Sequence, residues 1–268
     1  MINSDLCRNA LKAYFSGLND KQQEAVFKVN GSVLIIAGAG SGKTTVICNR
    51  VANMIMFGDG FNNPPKIDVS AADEEFLRQF AANPVKNEEN AARLTSLLAN
   101  NPIKPWNILV ITFTNKAAGE LKDRLASMLG GQGGDVNAST FHSACVRILR
   151  SEIDKLGYSS SFTIYDSDDS QRVIKDIMKS QNISDKAFAP RAIQTEISRA
   201  KDRLCYPAEF LNEAETISDF FKKTVASVYQ EYQSRLKAAN ALDFDDIIAL
   251  TVQIFEQFPE SLEKYQRK

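Results

Sequence analysis

The first 150 residues alternate between short apolar runs and stretches with helical spacing. Residues 32–37 (SVLIIA) and 107–113 (NILVITF) are continuous apolar runs, and residues 136–141 (VNASTF) form a weaker third. Short apolar runs bounded by turns are typical of strands covered on both faces of a parallel sheet. A helical pattern follows each run, so the sequence predicts an α/β fold in which helices flank a parallel sheet.

Residues 58–105 interrupt this alternation. The segment opens with GDGFNNPPK, closes with Pro102 and Pro105, and contains two short helical patterns. A loop of this length inside a compact sheet domain is unusual. We interpret it as a surface insertion with small helices of its own, whose removal should leave the fold intact. A partner-binding role is the alternative, although no residue in the segment supports it.

The second half of the chain changes character and is helical almost throughout from about residue 167. Capping residues precede SDDSQRVIKDIMKSQ, a proline opens PRAIQTEISRAKDRL, and two long amphipathic stretches follow. The pattern predicts an α/β domain with a helical domain attached. We place the boundaries at 1–150 with the insertion at 58–105, at 151–238 for the helical part, and at 239–268 for a return to the first domain.

Composition narrows the function classes. The net charge of −1 gives no global basic field, so any nucleic-acid site must be a local stripe. The four cysteines are widely spaced and predict neither a zinc site nor a disulfide framework. We find no signal peptide and no apolar run long enough to span a membrane. We therefore expect a soluble protein of the reducing cytoplasm.

The stretch AGAGSGKTT, residues 37–45, carries the clearest chemistry. A glycine-rich turn between a strand and a helix turns its backbone N–H groups towards an anion at the helix N-terminus. The strict phosphate-loop pattern begins with glycine, and Ala37 stands there instead. We expect Lys43 to reach the β- and γ-phosphates of ATP and the Thr44 hydroxyl to bind Mg²⁺. The predicted nucleotide-binding residues of the loop are Gly38, Ala39, Gly40, Ser41, Gly42, Lys43, Thr44 and Thr45.

Further blocks accompany this loop in a fixed order. They are LNDKQQEAV at 18–26, ITFTNKAAGELKDR at 111–124, STFHSACVRILR at 139–150 and ALDFDDII at 241–248. Together with the phosphate loop they resemble superfamily 1 DNA helicases of the UvrD/PcrA/Rep type. The resemblance implies a RecA-like sheet with an inserted all-helical subdomain, and an ATP-dependent 3′-to-5′ helicase acting on single-stranded and duplex-junction DNA. It also implies that Gln22 recognises adenine.

The block after the second strand resembles the motif that contacts single-stranded DNA in that family. The resemblance predicts that Phe113 stacks on a base and that Thr114, Asn115 and Lys116 hold phosphates. Stacking on an aromatic ring is indifferent to base sequence, which suits a translocating motor. The alternative is that Phe113 packs against the sheet.

The third block contains His142, the single histidine of the chain. We expect Thr140 and His142 to contact the DNA backbone and Phe141 to lie in the core. The carboxylates of the DFDD sequence, 243–246, invite a metal site. We expect instead that Asp243 caps a helix and that the other carboxylates are solvated.

Lys43 and Thr44 are the catalytic candidates, yet they only bind nucleotide. Hydrolysis also needs an acidic residue at the end of a second strand, and no apolar run ending in Asp-Glu occurs. We therefore expect an N-terminal part of a motor that does not unwind DNA by itself. The alternatives are the motor subunit of an AddA/RecB-like helicase–nuclease and a nucleotide-binding regulatory module that does not hydrolyse ATP.

Overall fold

The computed structural model describes residues 2–38, 40–216 and 219–267. The chain divides into two compact units, the first ending at Ser139 and the second beginning at Thr140. In the described residues no helix is long and apolar enough to cross a bilayer.

Where the structure describes it, the first unit consists of helices and one small sheet. Its helices are α1 (Ser4–Tyr14), α2 (Asp20–Phe27), α3 (Lys43–Met56), α4 (Ala71–Ala82), α5 (Glu88–Leu98), α6 (Asn115–Leu129) and α7 (Gly131–Gly134). Strands β1 (Leu109–Thr112) and β2 (Asn137–Thr140) pair with each other, and β2 ends one residue past the boundary between the units. A 3₁₀ turn at Pro105–Asn107 leads into β1.

In its described residues, the second unit consists of helices joined by loops, with one two-residue ladder. Its helices are α8 (Phe141–Glu152), α9 (Ser167–Ser180), α10 (Pro190–Asp202), α11 (Pro207–Thr216), α12 (Phe220–Ala238), α13 (Phe244–Gln257) and α14 (Pro259–Gln266), with a 3₁₀ turn at Ile153–Leu156 after α8. Strands β3 (Thr163–Ile164) and β4 (Ala241–Leu242) run parallel. A ladder of two residues has no periodicity to detect, which is why the sequence did not reveal it.

The predicted α/β class is confirmed, although the structure is rich in helices and its sheets are small. Two of the three expected strands form, as β1 and β2, and the expected helices follow them as α6 and α8. Thr114 and Thr140 cap these helices, because each hydroxyl accepts a hydrogen bond from the backbone N–H three residues later.

The first expected strand does not form. Residues 32–38 belong to no helix or strand, and Leu34 and Ile36 are 84% and 90% exposed. A strand needs a neighbour to satisfy its N–H and C=O groups. Among the described residues, β1 and β2 bond to each other and no strand pairs with residues 33–36. The expectation of a strand covered on both faces is therefore wrong for this structure.

The insertion is part of the core of the first unit. Helix α4 packs against α1, and both insertion helices bury leucine or phenylalanine side chains. One cluster joins these side chains to residues of α1, α2 and α3: Leu77, Phe80, Leu94 and Leu98 with Cys7, Leu11, Val26 and Val46. Removing the insertion would uncover α1, contrary to the expectation of a dispensable surface loop.

The two ends of the insertion are fastened to each other. Gly58 has φ +57°, and a Cβ atom there would lie 2.2 Å from the carbonyl oxygen of Asn100. Asp59 accepts hydrogen bonds from the amides of Asn62 at 2.7 Å and Asn30 at 3.2 Å. The sequence GDGFNN therefore has a structural role, because the close approach of Gly58 to Asn100 leaves no room for a side chain at Gly58.

Candidate nucleotide and DNA sites

The phosphate loop ends at an open helix terminus. Gly40 and Gly42 have φ +74° and +85°, so the turn requires glycine at both positions. Gly42 is the N-cap of α3, and no side chain caps this helix. The first N–H groups of a 14-residue helix are thus left for an external acceptor, and the helix dipole favours an anion there.

The Lys43 ammonium lies at this terminus and is held by carbonyl groups of the loop. Its Nζ donates to the carbonyl oxygens of Ala37 at 2.9 Å and Gly38 at 2.6 Å. The Ser41 hydroxyl donates to the same Gly38 oxygen at 2.7 Å. Carbonyl oxygens are weaker partners for an ammonium than phosphate oxygens, which carry full charge. The lysine is therefore positioned to exchange these contacts for phosphate.

Gln22 contacts the loop. Its Oε1 accepts from the backbone N–H of Asn19 at 3.0 Å, which closes the capping box of α2. Its Nε2 donates to the carbonyl oxygen of Ser41 at 3.2 Å and lies 2.9 Å from where a Cβ of Gly42 would be. Both ends of the amide are thus engaged, and contact with an adenine would require this side chain to rearrange. The structure brings together the predicted residues 22, 38 and 40–43.

The remaining predicted nucleotide ligands flank this turn. Thr44 is half-buried and Thr45 exposed in the first turn of α3. Ala39 lies outside the described residues. Within the described ranges, no group of three or more histidine, cysteine or acidic side chains is arranged to hold a metal ion. A hydroxyl beside an anion-binding terminus fits a Mg²⁺ ion that takes most of its ligands from phosphate and water.

The motif after β1 is exposed. Phe113 is 88% exposed, so it is not in the core. Thr114 caps α6 through a 3.1 Å hydrogen bond from the N–H of Ala117 to its hydroxyl. Asn115 and Lys116 follow in the exposed first turn. The result is an aromatic ring beside a helix N-terminus, an arrangement that suits stacking on a base next to a bound phosphate.

In the second unit, His142 has an aromatic partner that the sequence did not suggest. The rings of His142 and Phe244 lie 4.5 Å apart between centroids, and Phe244 is 57% exposed. Thr140 is only 8% exposed, and its hydroxyl accepts from the N–H of Ser143. Phe141 is 43% exposed, so its expected place in the core is wrong. At the start of α8 it turns outward while the buried positions begin at Ala144.

Beneath Phe244 lies a buried ionic cluster. Lys201, on α10, contacts Asp243 Oδ2 at 2.7 Å and Asp246 Oδ1 at 2.8 Å, and all three residues are at most 7% exposed. The Tyr232 hydroxyl donates to Asp243 at 2.9 Å, and the Gln233 amide donates to Asp246 at 3.1 Å. The expected helix cap at Asp243 is confirmed. The expectation of a solvated Asp246 is wrong, because Lys201 compensates its burial.

The pKa values of the cluster reflect burial and mutual attraction. Burial raises the pKa of Asp246 to about 6, against the opposing effect of Lys201. Burial acts in the same direction on Asp243, but Lys201 outweighs it and the pKa is lowered. For Lys201, burial favours the neutral amine, yet the two carboxylates raise its pKa. Near neutral pH the cluster is therefore two carboxylates around one ammonium.

Comparison with known proteins adds to this geometry. The family model described as the UvrD/REP helicase N-terminal domain matches residues 18–63 and 91–268. The chain belongs to this family. The phosphate loop, the Phe113 motif and the His142–Phe244 pair all lie within the matched ranges.

Similar full-length proteins carry the name ATP-dependent DNA helicase PcrA. The chain is 41% identical over 253 residues to the one from Bacillus subtilis (strain 168), which covers 94% of this chain and 28% of the relative. It is 39% identical over 258 residues to those from Staphylococcus aureus (strain Mu50) and Staphylococcus epidermidis, covering 96% of this chain and 29% of each relative. The chain thus spans less than a third of these relatives.

Besides residues 1–17, the family model leaves residues 64–90 unmatched, a segment shorter than the insertion expected at 58–105. It contains all of α4, whereas most of α5 lies in the matched range. The family model thus does not match α4, which packs against α1 in the structure.

Sequence reasoning missed Phe244 and Lys201. Phe244 is the first residue of α13 and follows the capping Asp243, so a large apolar residue at this exposed position is a usable signal. Lys201 carried no signal, because it lies among basic and polar residues of α10 that resemble an ordinary solvated face.

Proposed function

We propose that this chain is the N-terminal part of a cytoplasmic, ATP-dependent 3′-to-5′ DNA helicase. The parent protein would couple ATP hydrolysis to translocation along single-stranded DNA and to unwinding at duplex junctions. The observation that carries this proposal is the uncapped N-terminus of α3, with the Lys43 ammonium beside it. Membership of the UvrD/REP family and the helicase names of its relatives support the same conclusion.

For the parent protein, and not for the chain by itself, the same proposal assigns residues 32–37 to a strand of a RecA-like sheet. Their apolar side chains would suit a central strand that has a neighbour on each side. Residues 151–238 would form the inserted helical subdomain and residues 239–268 the return to the sheet domain. The parallel β3–β4 ladder supports this division, because it joins the two ends of the helical stretch.

For nucleotide binding, we assign the phosphates to the N–H groups of residues 40–45 and to Lys43, and we keep Ala39 in the loop. Thr44 would provide one ligand to Mg²⁺, and Gln22 would turn from Ser41 towards adenine. ATP hydrolysis would supply the free energy for movement along DNA. Lys43 and Thr44 would hold and orient the phosphates during that step.

For DNA, we assign base stacking to Phe113 and to the exposed ring of Phe244. Asn115 and Lys116, beside the N-terminus of α6, would hold phosphates together with Thr114. His142 supports Phe244 through ring contact and adds a polar edge for the DNA backbone. Thr140 would contribute through the cap of α8, since its hydroxyl is already engaged. Stacking contacts of this kind contribute about 1–3 kcal/mol per base.

Nucleotide binding is tested with a fluorescent ATP analogue and Mg²⁺, titrated into this chain. Lys43→Ala should reduce the affinity at least about 10-fold, because a charge-assisted contact to phosphate contributes about 1.5–3 kcal/mol. The matched control is Lys175→Ala, which removes an exposed lysine of α9. Equal affinity for the two variants would contradict the assignment of the loop.

The chain as given should bind ATP weakly and should neither hydrolyse it efficiently nor unwind DNA. The reason is that no apolar run ends in Asp-Glu, so the acidic residue that hydrolysis needs at the end of a second strand is missing from this sequence. Robust ATPase activity stimulated by oligo(dT) would contradict this part of the proposal. If nucleotide binds but Phe113→Ala leaves the affinity for oligo(dT) unchanged, the stacking role of Phe113 is wrong.

A further inference from the structure

We propose that Lys201 is a positioning residue for DNA binding, which holds the Phe244 ring against His142 through Asp243. This inference rests on the proposed DNA-binding function, because it deepens the role of the His142–Phe244 pair. It assigns the buried ion cluster to the geometry of an exposed aromatic surface, and it concerns only residues of the second unit.

Lys201 contacts the start of α13. Its ammonium lies 2.7 Å from Asp243 Oδ2 and 2.8 Å from Asp246 Oδ1. Asp243 is the N-cap of α13 and Asp246 is three residues further on, so the lysine contacts both members of the capping box. The first turn of α13 is therefore fixed relative to α10.

The Asp243 cap also sets the position of the Phe244 ring. Phe244 directly follows Asp243, and its backbone position is set by the cap geometry. Its ring is 57% exposed and touches His142 on α8, with centroids 4.5 Å apart. An exposed ring has few packing contacts to restrain it, so the cap beneath it carries much of the restraint. Displacing the first turn of α13 would therefore change the distance between the two rings.

The cluster beneath Phe244 is made of charged rather than apolar side chains. Two carboxylates and one ammonium lose their hydration on burial. Apolar side chains of similar volume would therefore often stabilise the fold as much as the buried charges do. Buried ionic groups do, however, fix orientation, because their hydrogen bonds tolerate little displacement. The Tyr232 hydroxyl also donates to Asp243 at 2.9 Å and further restricts where the Asp243 carboxylate can lie. The cluster therefore fits a positioning role better than a purely stabilising one.

His142 offers a direct readout, because the chain has no other histidine. Its ring protons give one set of NMR signals, and the ring current of Phe244 displaces them while the rings are in contact. Phe244→Leu defines the signal without the aromatic partner. Lys201→Met should move the His142 signals towards that value. Tyr232→Phe, which removes only one hydroxyl, should move them in the same direction by less and keeps the test available if Lys201→Met does not fold.

The matched control is Glu152→Gln, in a second buried ionic cluster of the same unit. Glu152 is 5% exposed and accepts from Ser261 at 2.9 Å while pairing with Lys155 at 3.1 Å. Thermal melts show how much each variant destabilises the protein. If Glu152→Gln and Lys201→Met displace the His142 signals equally at equal destabilisation, Lys201 is only structural and the inference is overturned.

A double-mutant cycle connects geometry to DNA. Lys201→Met should weaken oligo(dT) binding by about 2- to 140-fold, the range expected for residues coupled through contact. In a Phe244→Ala background the same substitution should have little further effect. Full additivity of the two effects would contradict action through Phe244. If Phe244→Ala alone leaves oligo(dT) binding unchanged, the proposed DNA role of the ring fails, while the NMR result still decides whether Lys201 positions it.

Discussion

Two apolar regions of the first unit behave in opposite ways. Residues 33–36 have the more hydrophobic sequence, yet Leu34 and Ile36 are 84% and 90% exposed. The insertion is opened by polar residues and prolines, yet Leu77 and Leu94 within it are 0% exposed. Hydrophobicity predicted burial for the first region and a surface position for the second.

The difference lies in what each backbone needs. A helix satisfies its own hydrogen bonds, so α4 and α5 need only an apolar face against which to pack, and α1 provides one for α4. An extended segment needs a neighbouring strand before its side chains can be covered. Burial is therefore decided by the available partner as well as by the side chains.

Leu77→Ala should lower the free energy of unfolding of the first unit more than any other substitution in this comparison. A fully buried leucine replaced by alanine costs about 2–5 kcal/mol. Leu34→Ala is the matched control, because the same atoms are removed from an 84% exposed side chain. Urea unfolding measures both, and the control should change the free energy of unfolding by less than about 0.5 kcal/mol. Similar losses for the two variants would show that residues 33–36 are buried in solution.

Gly58→Ala should have the next largest effect. The new Cβ would meet the Asn100 carbonyl oxygen at 2.2 Å, and φ is +57°. A strained non-glycine residue at such a position costs on the order of 1–3 kcal/mol. The control is Gly119→Ala in α6, where no atom lies within 4 Å of an added Cβ. It should stabilise the helix by about 0.5–1 kcal/mol. If both substitutions stabilise the protein, Gly58 does not pack closely against Asn100 at the base of the insertion.

The smallest expected effect on stability comes from replacing Leu34 and Ile36 with serine. Both side chains are exposed, so the melting temperature should hardly change. Binding of a hydrophobic dye should fall, because an exposed apolar patch is removed. A large drop in melting temperature would mean instead that a partner strand covers this run.

The sequence predicted local features well and distant partners poorly. Helix α6 follows from a capping Thr114 and regular spacing of buried positions, and these are near-neighbour effects. The phosphate loop follows from glycines and a lysine at fixed spacing. Both depend on residues within one turn of each other, which a single sequence displays directly.

The errors concern contacts between segments far apart in the chain. Asp246 looked solvated because its partner, Lys201, is more than 40 residues away. Phe141 looked like core because nothing in its neighbourhood indicates which face of α8 is covered. The exposure of residues 33–36 depends on a missing neighbour, which no local pattern reveals.

The phosphate loop is the site on which the proposed function depends most, and one crystal structure tests it directly. Crystals of this chain with a non-hydrolysable ATP analogue and Mg²⁺ should show the Lys43 ammonium moved from the carbonyl oxygens of Ala37 and Gly38 to phosphate oxygens at the N-terminus of α3. A loop in which Lys43 keeps its contacts to those two carbonyls, with nucleotide bound elsewhere or nowhere, would contradict the account.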